Sequence, residues 1–291
     1  MNYKTTVDRV IGLVLGLAGF AVYTTTLASG AYPGQSALLV VERTGLYPVL
    51  TPNNPLWRFV AHISTQWIPI GDAATRLNLL SALFGAICIW LVYDLMVRVV
   101  FGSIDTDVVS ETRVRIAARL AAVSSSVFLM FAIPFWVVST RAHTEAFDLM
   151  LLLAAAKLLL GYAVNGKFRT ALLFSFLYGI GIVEFATFIT FAPFFGLVLL
   201  YVMWRQETLR LSSALSLVGC AVLGLLLYIP VAWQFYGSSG YVLREYGNFF
   251  DVIWFMWRDQ YFIITRSLPR EGWLIILFMT VIPWLACLAV A

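Results

Sequence analysis

Eight apolar runs, each long enough to cross a bilayer core of about 30 Å, divide this chain and constrain it more than any motif. They fall near residues 10–30, 75–97, 117–139, 145–164, 169–186, 187–204, 211–234 and 273–291. Backbone in lipid must satisfy its own hydrogen bonds, so runs of this length and composition read as helices. Arg169 to Trp204 is too long for one ordinary span, and Glu184 marks the turn between two short ones. With 61% hydrophobic and only 12% charged residues, the chain lies outside the range of water-soluble domains. The expected fold is an all-α integral membrane protein: a bundle of about eight transmembrane helices in one domain, residues 1–291.

Basic residues set the expected orientation. Arg98, Arg113, Arg115 and Arg119 share one connection, Lys167 and Arg169 the next on that side, and Arg205 and Arg210 a third; the short opposite loops offer only Arg141. The N-terminus, with Lys4 and Arg9, is therefore expected on the cytoplasmic side, and the loops 31–74 and 235–272 on the outer side. The first run is longer than a signal-peptide core and seven more follow, so it reads as a retained anchor. The chain ends inside an apolar run at Ala291 without a polar flank, so the domain is expected to continue beyond it. The net charge of +4 is split between two membrane faces and is not a nucleic-acid footprint.

The first outer loop carries helical signals. Asn54 before Pro55 reads as a cap and a first-turn proline, and Leu56, Val60, Ile63 and Trp67 follow at helical spacing. An interfacial helix is expected here, with Arg58, His62 and Gln66 on its opposite face. Ser36 to Leu46 reads as a second short helix that includes Glu42. The second outer loop is rich in aromatic residues, from Tyr236 to Phe262, which by default form a belt at the membrane surface. Arg244, Arg258, Arg266 and Arg270 in that loop could hold a lipid phosphate. Cys88, Cys220 and Cys287 each fall inside a span and read as small packing residues. His62 and His143 are the only histidines, so no metal cluster is visible, and the Walker spacing is absent around Gly237 to Gly240.

Tyr32-Pro33-Gly34-Gln35-Ser36, Thr51-Pro52-Asn53-Asn54-Pro55-Leu56-Trp57, Pro69-Ile70-Gly71-Asp72 and Arg76-Leu77-Asn78-Leu79-Leu80-Ser81-Ala82-Leu83 together resemble the first outer loop and second span of a bacterial family. That family is allied to the protein O-mannosyltransferase-like proteins of the GT-C glycosyltransferase superfamily. The likeness continues more faintly to about Pro193. It implies a GT-C-like bundle in a bacterial inner membrane that takes a sugar from a polyprenyl-phosphate donor to a protein or glycan hydroxyl. Two departures bear on catalysis. The family's Gly-Asp-Ser-Gly-Glu is replaced here by Gly34 to Leu38 without either acid, and the histidine of its loop motif is replaced by Leu50.

Transfer of this kind needs a carboxylate to take the acceptor proton as the glycosidic bond forms. Glu42 is the substitute that the first loop offers; alternatively it pairs with a base such as Arg43. Glu145, before Phe147, matches a glutamate the family places there. Glu184 is a third candidate at the same outer level. Arg43, Arg58, His62, Arg141, His143, Arg244 and Arg258 are the candidate substrate-binding groups, although Arg141 and Glu145 could simply pair at i, i+4. Within the spans, Asp94 is expected to pair with Arg98, and Asp148 to accept from a Ser or Thr of the bundle. Membrane lipids, the lipid-linked sugar and the acceptor are the expected partners. A noncatalytic protein that binds or moves a lipid-linked glycan, or scaffolds an envelope complex, is the alternative.

Overall fold

The computed structural model describes residues 5–46, 52–104, 110–236 and 247–267. Among them every regular element is helical: α1 Thr6–Thr25, α2 Gln35–Arg43, α3 Pro55–Trp67, α4 Ala73–Ser103, α5 Glu111–Phe131, α6 Ile133–Thr140, α7 Glu145–Asn165, α8 Phe168–Glu184, α9 Ala186–Arg205, α10 Leu211–Leu225, α11 Tyr228–Phe235 and α12 Phe249–Ser267. Among the described residues, six stretches are long and apolar enough to cross a membrane: α1, α4, α5, α7, α9 and the continuous α10–α11. The chain is a multi-pass helical membrane bundle. Of the other two expected spans, one is α8, at 17 residues, and the run 273–291 lies outside the described residues.

Helix α4 is the axle. It packs against α1, α5, α6 and α7, and 67% of its most apolar window is buried, against 28% for α1 and α5. The outer helices turn their remaining apolar side chains to the surroundings: Val10, Leu13, Val14 and Leu17 of α1, Phe128 of α5 and Val218 of α10 are all more than half exposed. In a bilayer that surface faces lipid, so its exposure carries no hydrophobic cost. Close helix approach uses glycine. A Cβ on Gly12 would stand 3.0 Å from the Tyr93 ring, and one on Gly85 2.6 Å from Ser139 Oγ, so neither position holds a larger residue without movement.

The expected span 117–139 is broken at Ala132, between α5 and α6, and proline is the cause. Pro134 has no amide hydrogen for the carbonyl of Met130, four residues back. The Tyr23 hydroxyl of α1 donates to that carbonyl at 3.2 Å, which restores the hydrogen bond that lipid cannot supply. Charged side chains in the spans are likewise partnered. Asp94 faces Arg98 and Lys157, each at 3.2 Å, Asp8 accepts from Arg119 at 2.7 Å, and Asp148 accepts from Thr187. Both expectations about the intramembrane aspartates therefore hold. Cys88 is buried and Cys220 half-buried, both as free thiols.

Candidate functional site

Loops are held on the end of α4 by the motif that carries the family likeness. Arg76 donates to the carbonyls of Thr65, Ile70 and Gly71. Asn78, fully buried, donates to Ala28 O at 2.9 Å and Gly30 O at 3.2 Å, fixing the exit of α1. Ser81 exchanges hydrogen bonds with the His143 backbone at 3.2 and 3.3 Å, fixing the α6–α7 turn. These residues position the loops; none of them lines a cavity described below.

Helix α3 begins where the sequence places it, with Asn54 as the cap residue and Pro55 in the first turn, but the cap chemistry differs. Asn54 has left-handed backbone (φ 56°, ψ 51°), and its side chain donates away from the helix, to Glu184 O at 2.9 Å. The free amides of Leu56 and Trp57 instead donate to the two Glu184 carboxylate oxygens at 2.8 and 2.7 Å. A negative group at the positive end of a helix is favourable, and Trp57 then sinks into the main core at 1% exposure. The buried residues of α3 are Trp57, Ala61, Ser64 and Thr65. Ile63 and Trp67, expected on the apolar face of an interfacial helix, are exposed by 41% and 80%, while Trp57 makes the contact with the protein core.

One turn along, Arg58 reaches back across α2. Its Nε donates to Asn53 O at 2.7 Å, and its Nη1 meets Glu42 Oε2 at 2.7 Å. The Glu42 side chain is 2% exposed. Arg43 donates to Arg58 O at 3.1 Å. Burial, with Arg58 alongside, pulls the Arg43 guanidinium below its ordinary pKa, while Glu42 opposes that shift. The base that meets Glu42 at 2.7 Å is Arg58 of α3 rather than Arg43, its neighbour in sequence.

Outside this pair lies a cleft of about 220 Å³ between α2, α3 and α11. Arg43, Arg58 and His62 give its polar edge, with Gln234 opposite; Phe59, Phe235, Pro52 and Pro55 supply apolar faces. Such a cleft suits an anionic head attached to a hydroxylated ring: guanidinium groups pair with phosphate oxygens, and flat apolar surfaces pack on the ring.

The candidate residues separate into four places. Arg43, Arg58 and His62 share the cleft, with Glu42 directly behind Arg58. Arg141, His143 and Glu145 form a second group at the α6–α7 turn, where Arg141 stacks on Tyr32 at 3.3 Å from the ring centre and His143 Nδ1 lies 3.0 Å from Glu145 Oε2. The i, i+4 pairing of Arg141 with Glu145 is therefore replaced by two other contacts. Glu184 is buried, and each of its carboxylate oxygens accepts a backbone amide of α3. Arg258 is exposed on α12, with its guanidinium 5.7 Å from the Phe262 ring centre, and Arg244 lies outside the described residues. Sequence reasoning missed Phe59 and Gln234 as cleft residues, and Asn53 entered only within the Thr51-to-Trp57 motif; the helical phase of Phe59, one residue from Arg58, is the signal that could have drawn attention to it.

Among the described residues, no group of three His, Cys, Asp or Glu side chains converges as a metal site. A family model described as "Protein O-mannosyl-transferase TMEM260 N-terminal domain" matches residues 50–209, a little over half of the chain. No curated protein and no solved structure matches it.

Proposed function

The chain belongs to this family of protein O-mannosyl-transferase N-terminal domains, and from that premise we propose a GT-C-type membrane glycosyltransferase that uses a polyprenyl-phosphate sugar donor. The observation that supports this reading is the cleft at the head of α3, where Arg43, Arg58 and His62 face apolar rings. In the proposed reaction the donor phosphate lies against Arg43 and Arg58 and the hexose against Phe59 and Phe235. The acceptor hydroxyl, on a protein or glycan, bonds to the anomeric carbon as the carbon–oxygen bond to phosphate breaks. The phosphate leaves on its lipid with the bonding electrons, and the hydroxyl proton passes to Glu42.

Arg58 stands 2.7 Å from Glu42 Oε2, so in this scheme it moves aside before that oxygen takes the proton. The donor phosphate supplies the competing anion for Arg58, so base release and donor binding are one event in this scheme. Glu145 and the Arg141–His143 turn serve the acceptor side, and Arg244 and Arg258 attract the anionic donor toward the cleft without holding its phosphate. The setting is a bacterial inner membrane, with the N-terminus cytoplasmic and the cleft on the outer face.

A second reading, a noncatalytic binder or carrier of lipid-linked glycans or an envelope scaffold, is favoured by the concealment of Glu42 and by Gln35 and Leu38 standing where the resemblance expects acids. Purified protein in nanodiscs, given radiolabelled mannosyl polyprenyl phosphate and an acceptor peptide, separates the two. Transfer of label that Glu42→Gln abolishes supports the enzyme. Transfer unchanged in Glu42→Gln removes that residue from the mechanism, and saturable binding without transfer establishes the second reading.

A further inference from the structure

Helix α12 is long enough to span a membrane, at 19 residues, yet it is absent from the helices apolar enough to do so. Asp251, Arg258 and Asp259 interrupt it. One face is packed: Val252 and Met256 are fully buried beside Val183, Val231, Ala232 and Phe235. Gln260, also buried, donates to Ile182 O at 2.8 Å, and Asp259 accepts from the Asn53 side chain. The other face is aromatic and open. Phe250, Trp254, Trp257 and Tyr261 recur at helical spacing and are exposed by 75%, 69%, 46% and 63%.

The level at which this face sits is fixed by its neighbours. Trp257 stacks on Tyr228 of α11 with ring centres 6.2 Å apart, and α11 is the last part of the crossing stretch Leu211–Phe235. Gln260 and Val252 meet the final turn of α8. Helix α12 therefore packs on α11, on α9 and on the last turn of α8, and, like α11 with Trp233 at 74% exposure, it leaves large rings on the surface. Rings with an apolar body and a polar edge favour the headgroup level.

We propose that α12 is a membrane-surface helix whose occupant is lipid: Phe250, Trp254, Trp257 and Tyr261 are immersed in the boundary between headgroups and acyl chains, while Asp259 and Gln260 clamp the loop before α3 and the end of α8. The Asn53 carbonyl accepts from Arg58 Nε at 2.7 Å, so the lipid-seated helix also steadies the rim of the cleft. This inference is independent of the transferase reading, because it rests on the packing of α12 alone.

The test uses the full chain in nanodiscs, with Cys88, Cys220 and Cys287 replaced by alanine and an environment-sensitive fluorophore on Phe250→Cys or, separately, Trp254→Cys or Tyr261→Cys. All three positions are exposed, so at least one labelled variant is expected to fold as the parent does. Nitroxide-bearing phosphatidylcholine is expected to quench the label several-fold, more strongly with the nitroxide high on the acyl chain than near its methyl end, and aqueous iodide to have little effect. Strong iodide quenching, or quenching by neither agent because a second copy or residues 268–291 cover the face, overturns the proposal.

Discussion

The Glu184 carboxylate, at the end of α8, holds the Leu56 and Trp57 amides of α3 across 128 and 127 residues of chain. It ties the break between two membrane helices to the helix that carries Arg58 and His62. Hydrogen bonds to a charged group contribute about 1.5–3 kcal/mol each. Glu184→Ala is therefore expected to destabilise the fold by about 3 kcal/mol, and Glu184→Gln, which keeps one acceptor, by about half that. Thermal unfolding in detergent micelles checks the order; an alanine variant as stable as the parent contradicts it.

A buried pair costs most when only one member is removed. Arg58→Met leaves the Glu42 carboxylate at 2% exposure without its 2.7 Å partner, and a loss of about 3–5 kcal/mol is expected. The double change Glu42→Leu with Arg58→Met is expected to recover most of it. A double-mutant cycle on unfolding midpoints reads the coupling, and simple additivity of the single variants contradicts the pairing.

Helices α8 and α10 touch through glycine. A Cβ on Gly179 would overlap the Ala221 carbonyl, and one on Gly224 the Phe176 carbonyl, backbone groups that cannot swing away. Gly179→Val and Gly224→Val are expected to abolish folded yield in membranes, whereas Gly219→Ala, with nothing within 4 Å, is expected to match the parent. Monodispersity by size-exclusion chromatography gives the comparison.

Asp72 caps α4 by accepting from the Thr75 hydroxyl and amide, and the hydroxyl bond is the main reason its carboxyl lies below the ordinary range. A group lowered on folding adds stability above its unfolded pKa and loses it as pH falls through the folded one. The parent is therefore expected to lose stability more steeply than Asp72→Ala on acidification below the usual carboxylate range. The carboxyl is exposed, so the difference is small; parallel pH profiles of unfolding midpoint contradict the assignment.

Much of the bundle was legible because lipid enforces one rule, long apolar helices, that the chain must write openly. The break between α8 and α9 at Glu184, the start of α3 at Asn54 and the Asp94–Arg98 pair were all readable from local spacing. The roles of the acids were not. Glu184 as a remote cap and Glu184 as a catalytic acid look identical in sequence, because a carboxylate between apolar runs announces only that it needs a partner. The Arg58–Glu42 pair was missed for a related reason: Arg43 is adjacent in sequence, but helix geometry carries neighbouring side chains apart and brings α3 across to meet Glu42. Gln234 and Phe235 reach the cleft through a tertiary contact that no local pattern encodes.

Donor binding by the cleft is the claim on which the account turns, and it is measured most directly by titrating mannosyl polyprenyl phosphate into full-length protein in nanodiscs, parent against Arg43→Ala. Arg43 supplies a guanidinium to the cleft edge without bonding Glu42 in the 2.7 Å pair, and losing one charge-assisted contact of about 1.5–3 kcal/mol corresponds to roughly tenfold to a hundredfold weaker binding. Saturable binding in the parent, weakened at least tenfold in the variant, is the result expected. Equal affinity in the two proteins, or no saturable binding in the parent, contradicts it.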